Sequence, residues 1–245
     1  MTAFPGEDWN SPEPGSWRIA QLDELAVQLA GGGSTALMVV HRGRLVWQAG
    51  DVGRKSSIAS VRKSLVNLMI GIAVARRRLD PGATLAELGI DDKDPLTARE
   101  KRATVRDLLA SRSGVYHPSV YDTAAGRPAR GAHPPGAHWF YNNWDFNALA
   151  TIFAVATGET VVQAFGPMLA APLGMQDHAG DDVRFLYGPE SVHPVYKMRM
   201  SARDLARIGL LVLNKGRWNG AQVVPSDWLE ESLRPHSRIA GGRFY

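Results

Sequence analysis

The sequence predicts an α+β fold in which helices outnumber strands. Three observations carry that expectation. Apolar residues recur at helical spacing in several long windows, one pair of segments reads as a hairpin, and four capping patterns place further helix starts. With 245 residues, 44% hydrophobic and 21% charged, the chain has an ordinary globular composition. That length can bury a core in one large domain or two interleaved ones.

Residues 1–15 read as a loose arm. From Trp17 to Ala30 the residues Ile19, Leu22, Leu25, Ala26 and Leu29 keep helical spacing, and Gly31-Gly32-Gly33 ends the run. Ala36 to His41 and Leu45 to Ala49 then read as two strands around Arg42-Gly43-Arg44. Residues 16–55 are therefore assigned to the N-terminal helix and β-hairpin of an α/β part. This hairpin is the one clear sheet signal.

The stripe Val61, Leu65, Leu68, Met69 and Ile72 marks a helix starting at or near Ser60 and closing before Asp80-Pro81-Gly82. Capping patterns at Thr97-x-x-Glu100, Thr104-x-x-Asp107, Thr160-x-x-Gln163 and Ser201-x-x-Asp204 each place a helix start. Another helix runs from about Trp144 to Ala156, stopped near Gly158, and one ends near Asn214-Lys215-Gly216. Ser111 to Phe140 is a long stretch rich in Gly, Pro and His, a length that in a compact domain signals function or mobility. Residues 56–200 are thus expected to form a mainly helical domain, which also holds the two motifs described below. Residues 201–245 are helices returning to the α/β part.

Composition removes several function classes. Net charge is +4, and the one local basic run, Arg76-Arg77-Arg78, belongs at a helix C-terminus, where cations favour the dipole. No clustered basic face for nucleic acid emerges. The chain has no cysteine, so disulfides, thiol catalysis and Cys-ligated metals are excluded. No apolar run approaches the ~20 residues of a membrane span. The acidic, Pro-rich start from Met1 to Pro14 does not read as a secretory signal. The expectation is cytoplasmic residence, or periplasmic or secreted if a leader was removed. The seven histidines are dispersed without metal-ligand spacing, His133 and His138 being the nearest to a pair. No cofactor or metal is expected.

Two short motifs carry the chemistry. Ser60-Val61-Arg62-Lys63 places a serine and a lysine three residues apart, hence on one helical face about 5–6 Å between Cβ atoms. A buried lysine loses hydration, its pKa falls, and it can accept a proton near neutral pH. The helix N-terminus adds N–H groups that favour an oxyanion. The bland alternative makes Ser60 a cap and Lys63 a solvated first-turn residue. A cation so early on an apolar helix opposes the dipole, which argues for a functional reason. The second motif is Tyr141-Asn142-Asn143. Here the bland reading is a half-buried aromatic followed by Asn143 as the cap of a helix starting at Trp144. The functional reading puts the phenol between Ser60 and a leaving group, as base and then acid, with Asn143 bonding Lys63 and a substrate amide.

Together with the stretches around them, these motifs resemble the serine β-lactamase and penicillin-binding-protein superfamily, in its class C-like branch of esterases and amidases. Leu108 to Val115 is similar to that family's "LLxHxSGL" segment, and Pro135-Gly136 ahead of Phe140 to Asn143 to its "PG…YSN" run. Pro172-Leu173-Gly174-Met175 and Ser201 to Ala206 match its "PLGM" and "SARDLA" stretches. The likeness covers about 36–235.

The resemblance implies a β-lactamase/transpeptidase-like fold, an antiparallel sheet flanked by helices plus a helical domain, with the site between them. It makes Ser60 the nucleophile, Lys63 its activating base, Tyr141 the general acid/base and Asn143 a substrate-positioning residue. The family's third element, Lys-Thr-Gly or His-x-Gly on a C-terminal strand, has one literal candidate in His178-Ala179-Gly180, in a loop-like context. The sheet is accordingly expected to lack its C-terminal strands, as in a shortened member. The expected activity is that of a serine hydrolase forming an acyl-enzyme on small esters, amides or peptides. The alternative is an impaired fragment, or a non-catalytic binding member of the same family. A small-molecule partner is implied, with no nucleic acid and no membrane; oligomeric state is left open.

Overall fold

The computed structural model describes residues 2–10, 17–122 and 126–238. Helix α1 (Ile19–Gly31) leads into a hairpin of β1 (Ala36–His41) and β2 (Arg44–Gly50), paired antiparallel from Ala36↔Gly50 to His41↔Arg44 with a bulge at Val39/Val40. Both elements lie where the periodicity placed them. A two-residue strand β3 (Ser56–Ser57) then precedes α2 (Val61–Ala75), and Arg76 is the C-cap of that helix. The basic run 76–78 therefore begins at the helix C-terminus, as expected.

Short helices follow. A 3₁₀ turn spans Glu100–Arg102, and α3 (Val105–Leu109) opens on a reciprocal capping box in which Thr104 Oγ1 accepts from Asp107 N. The long helix α4 (Asn143–Thr157) stops at Gly158, whose φ of +79° is left-handed. Helix α5 (Val161–Phe165) opens on the Thr160–Gln163 box and runs through a π turn (Gly166–Ala170) into α6 (Ala171–Leu173). No helix or strand interrupts the described part of 111–142. Among the described residues no single helix is long and apolar enough to cross a membrane.

The sheet content exceeds expectation. Strands β4 (Val183–Leu186) and β5 (Val195–Met200) pair antiparallel, and β5 also pairs with β3, giving the order β3-β5-β4. This sheet falls inside 56–200, so that stretch is not purely helical. Helix α7 (Ala202–Leu213), capped by Ser201, packs against β1. A small ladder of β6 (Arg217–Trp218) and β7 (Ala221–Gln222) and helix α8 (Ser226–Ser232) follow. The stretch 201–238 thus contains strands as well as helices.

One core joins α2, α4, α5 and the sheet. Leu65, Met69, Ile152, Phe153 and Phe165 are buried within it, and buried Asp92 accepts from Trp144 Nε1 and Ser191 Oγ, both at 2.7 Å. Helix α8 seats Trp228 on Gly71 of α2, where a Cβ would lie 2.3 Å from the indole. A larger residue cannot occupy that site without moving the ring.

The arm expected to be loose is held over 2–10. Fully buried Arg207 donates through Nη1 to the Leu173 carbonyl at 2.8 Å and through Nη2 to the Gly6 carbonyl at 2.9 Å. Phe4 stacks edgewise on Trp218, centroids 5.1 Å apart. A guanidinium far from water needs acceptors, and main-chain carbonyls of the arm supply them. Residues 11–16 lie outside the described residues.

Candidate active site

The serine sits on a pinned turn. Ala59, in the left-handed region at φ +43°, bends the chain directly before Ser60 at the N-terminus of α2. A non-glycine residue there costs about 1–2 kcal/mol. Two bonds hold the bend: Ile58 N donates to the Met198 carbonyl of β5 at 3.2 Å, and Arg62 Nη1 donates to the Ala59 carbonyl at 2.8 Å. Ser60 occupies the cap position, yet its hydroxyl makes no cap bond, so the bland reading of that residue fails. The hydroxyl stands exposed and turned to Lys63.

Lys63 is 6% exposed. Its Nζ lies 3.1 Å from Ser60 Oγ and 2.6 Å from the Tyr141 phenol oxygen. Burial first, then the neighbouring charges of Arg62 and Lys197, lowers its pKa to about 7. An amine at that value is half neutral at pH 7 and able to take a proton. The centroid of the Phe146 ring stands 5.1 Å from Nζ.

The tyrosine is delivered by the loop before α4. Phe140 N donates to the Ser111 carbonyl at 3.0 Å, and Gly136 N to the Arg112 carbonyl at 2.8 Å, tying the end of the loop to its beginning. Gly114 makes the crossing possible. Its φ is +70°, and a Cβ would lie 2.8 Å from the His133 carbonyl oxygen. Asn142, not Asn143, is the N-cap of α4, its Oδ1 accepting from Trp144 N at 3.3 Å. Its Nδ2 donates to the Val115 carbonyl at 2.6 Å and to Asp145 Oδ1 at 3.0 Å. Ser113 Oγ donates to the same oxygen at 2.6 Å. Asp145 is fully buried, and that burial pushes its pKa well above the usual carboxylate range.

Three of the four expected residues therefore converge. Asn143 is differently engaged. It is the first residue of α4, and its Nδ2 donates to the Tyr121 carbonyl at 3.0 Å rather than to Lys63. With Asn142 taking the cap, the neighbouring amide turns to the preceding loop at Tyr121. Sequence reasoning passed over Asn142, Ser113 and Asp145, although Asn142 and Ser113 lie inside the segments that carried the resemblance.

His178-Ala179-Gly180 lies in the turn and 3₁₀ helix (Gly180–Asp182) before β4, not on a strand, and the His178 ring packs on Phe165 at 5.1 Å between centroids. His133 and His138 stack at 4.0 Å, and no group of three metal-ligating side chains occurs among the described residues. Behind Lys63 a cavity of about 290 Å³ opens, lined by Ser64, Asn67, Phe146, Trp228, Ser232 and His236 among others.

A serine hydroxyl, an amine and a phenol meeting at a helix N-terminus, in a frame of antiparallel strands and helices, fit the β-lactamase/transpeptidase-like class of folds. The chain belongs to the Beta-lactamase family, whose model matches residues 22–241. No curated protein matches it. Among solved structures it is similar to a Bacillus anthracis protein provisionally named a 6-aminohexanoate-dimer hydrolase. Identity is 22% and the TM-score 0.68, over 91% of this chain and 67% of that one. It is similar also to an octameric penicillin-binding protein homologue from Pyrococcus abyssi. There the values are 17% identity and TM-score 0.69, over 94% of this chain and 64% of the other. A class C beta-lactamase mutant gives 16% identity and TM-score 0.63, over 86% and 69%. At these identities the likeness speaks to the fold.

Proposed function

We propose that this protein is a serine hydrolase that works through an acyl-enzyme on small esters, amides or peptides. One observation carries the reading: Lys63 Nζ lies within hydrogen-bond reach of both the Ser60 hydroxyl and the Tyr141 phenol. The neutral Lys63 amine takes the Ser60 proton, directly or across the phenol, as Oγ adds to the substrate carbonyl carbon. Backbone N–H groups at the start of α2 favour the oxyanion. Collapse breaks the bond to the leaving group, which leaves with a proton from Tyr141, reloaded from the Lys63 ammonium. Water then attacks the Ser60 ester, its proton passing back along the same pair, and the acid product departs.

Membership of the Beta-lactamase family and the hydrolase named among its structural neighbours support the reaction class. Asn143 is proposed as the residue that positions the acyl side of the substrate, released from Tyr121 or bridging to it. The test is covalent labelling of Ser60 by a fluorophosphonate probe, read by intact mass and peptide mapping, alongside turnover of nitrophenyl esters. Equal labelling of Ser60→Ala would overturn the assignment. Labelling without ester turnover would favour the non-catalytic member.

A further inference from the structure

The sheet beside the nucleophile has one buried face and one cationic face. On β5, Tyr196, Met198 and Met200 are buried, while Lys197 and Arg199 stand on the other side. The register sets Arg184 of β4 directly opposite Lys197, and Ser57 of β3 opposite Arg199. Like charges directly opposed across antiparallel strands destabilise the pairing. Among the described residues none of these three cations is paired with an acid. Asp182 borders the same groove, but it is nearly fully buried and held by Lys55 at 2.7 Å.

The cationic face continues toward the catalytic residues. The Lys197 ammonium lies 3.3 Å from the centroid of the Tyr121 ring, and the carbonyl of that tyrosine holds Asn143. Arg62, inside the Ser60–Lys63 turn, belongs instead to the buried side: it is 2% exposed, its guanidinium carbon lies 5.2 Å from the centroid of the Tyr196 ring, and Nε and Nη2 make no hydrogen bond. The groove over the sheet has a volume of about 390 Å³, the scale of a small-molecule site, and Leu186 gives it an apolar border. Strand β3 in its floor ends three residues before Ser60.

We propose that this face is a specificity site for acyl substrates bearing a carboxylate, bound by Arg184, Lys197 and Arg199 while the scissile carbonyl reaches Ser60. It rests on the hydrolase reading above. The carboxylate removes the cross-strand repulsion that the sheet otherwise carries. An aliphatic stem between carboxylate and carbonyl lies against Leu186 and Tyr121.

The experiment compares two p-nitrophenyl esters of equal chain length, the glutarate half-ester and the neutral valerate, on the full chain. The expected result is a preference of about tenfold or more in kcat/KM for the half-ester. That preference shrinks as salt rises and collapses in Arg184→Glu and Lys197→Glu. The ratio of the two esters is the readout, so a variant that lowers both rates together does not mimic the effect. If the charge reversals fail to fold, Arg184→Gln and Lys197→Met take their place. An equal rate on both esters, or a preference untouched by the variants, overturns the proposal. If fluorophosphonate labels Ser60 but neither ester turns over, protection of that labelling by free glutarate decides. Protection absent overturns it, and protection lost in Arg184→Gln supports it. Failure of Ser60 labelling itself marks failure of the hydrolase reading instead.

Discussion

Lys63 Nζ stands 2.6 Å from the phenol oxygen of Tyr141, closer than the 3.1 Å that separates it from Ser60 Oγ. The amine is thus shared between the Ser60 hydroxyl and the phenol, and hydrogen bonds join all three side chains. Burial and two cationic neighbours hold its pKa near neutrality, at about 7.

The labelling rate of Ser60 should therefore rise with pH through about 7, as Lys63 loses its proton. Lys197→Met removes one of the charges that depress the lysine, so the midpoint should move upward. Stopped-flow or timed mass spectrometry across pH 5 to 9 measures both. A flat profile would remove Lys63 as the base.

Tyr141→Phe keeps the ring and deletes the phenol. Ester acylation should fall by about 10²–10⁴, with little change in melting temperature because the half-buried ring still packs. An unchanged rate with the same substrate would assign proton transfer to Lys63 alone.

Asp145 offers a stability test with a definite sign. Its folded-state pKa lies above the unfolded value of about 4. Between those two values the unfolded chain is ionised and the folded chain holds the proton, so stability falls as pH rises through that window. Asp145→Asn keeps an oxygen for Ser113 and Asn142 and should flatten the decline, gaining most at the upper end. Asp145→Ala leaves the Ser113 hydroxyl without its acceptor and Asn142 Nδ2 with only the Val115 carbonyl, and should cost about 1–3 kcal/mol. Urea melts at pH 4 and pH 8 separate these outcomes. A decline as steep in Asp145→Asn as in the wild type would show that another group causes it.

Gly71 and Trp228 should be coupled. Gly71→Ala places a methyl against the indole and should destabilise by about 1–3 kcal/mol. In a Trp228→Ala background the same change should cost much less. Additive losses in a double-mutant cycle would mean that α8 yields without strain.

The proposed site was legible because Ser60 and Lys63 lie three apart on one helical face and Tyr141 lies in a short motif of its own. The hairpin, α2 and the capped helices were legible for the same reason, since each depends on residues within a few positions. What long-range packing decides was not. The three-stranded sheet escaped notice because β3 has two residues and β5 spends its alternation on methionines and cations, which are weak strand signals. Asn142 and Asn143 are chemically alike, and only the turn geometry shows which caps α4 and which faces Tyr121. Arg184 and Lys197 are unremarkable letters until register sets them face to face. The arm read as loose from its prolines and acids, although 2–10 pack through acceptors that its main chain offers to a distant arginine.

That last contact reaches into practice. Arg207 lies in α7 with its guanidinium sealed from water, and two of its acceptors, the Gly6 and Glu7 carbonyls, belong to the first ten residues. A fusion tag or trimming protease that lifts this segment would leave the buried cation only two of its four acceptors, the Leu173 carbonyl and Gln176 Oε1. Expression trials should then show lower yield or earlier melting for chains starting at Ala20 than for chains starting at Thr2, whatever happens at the cleft.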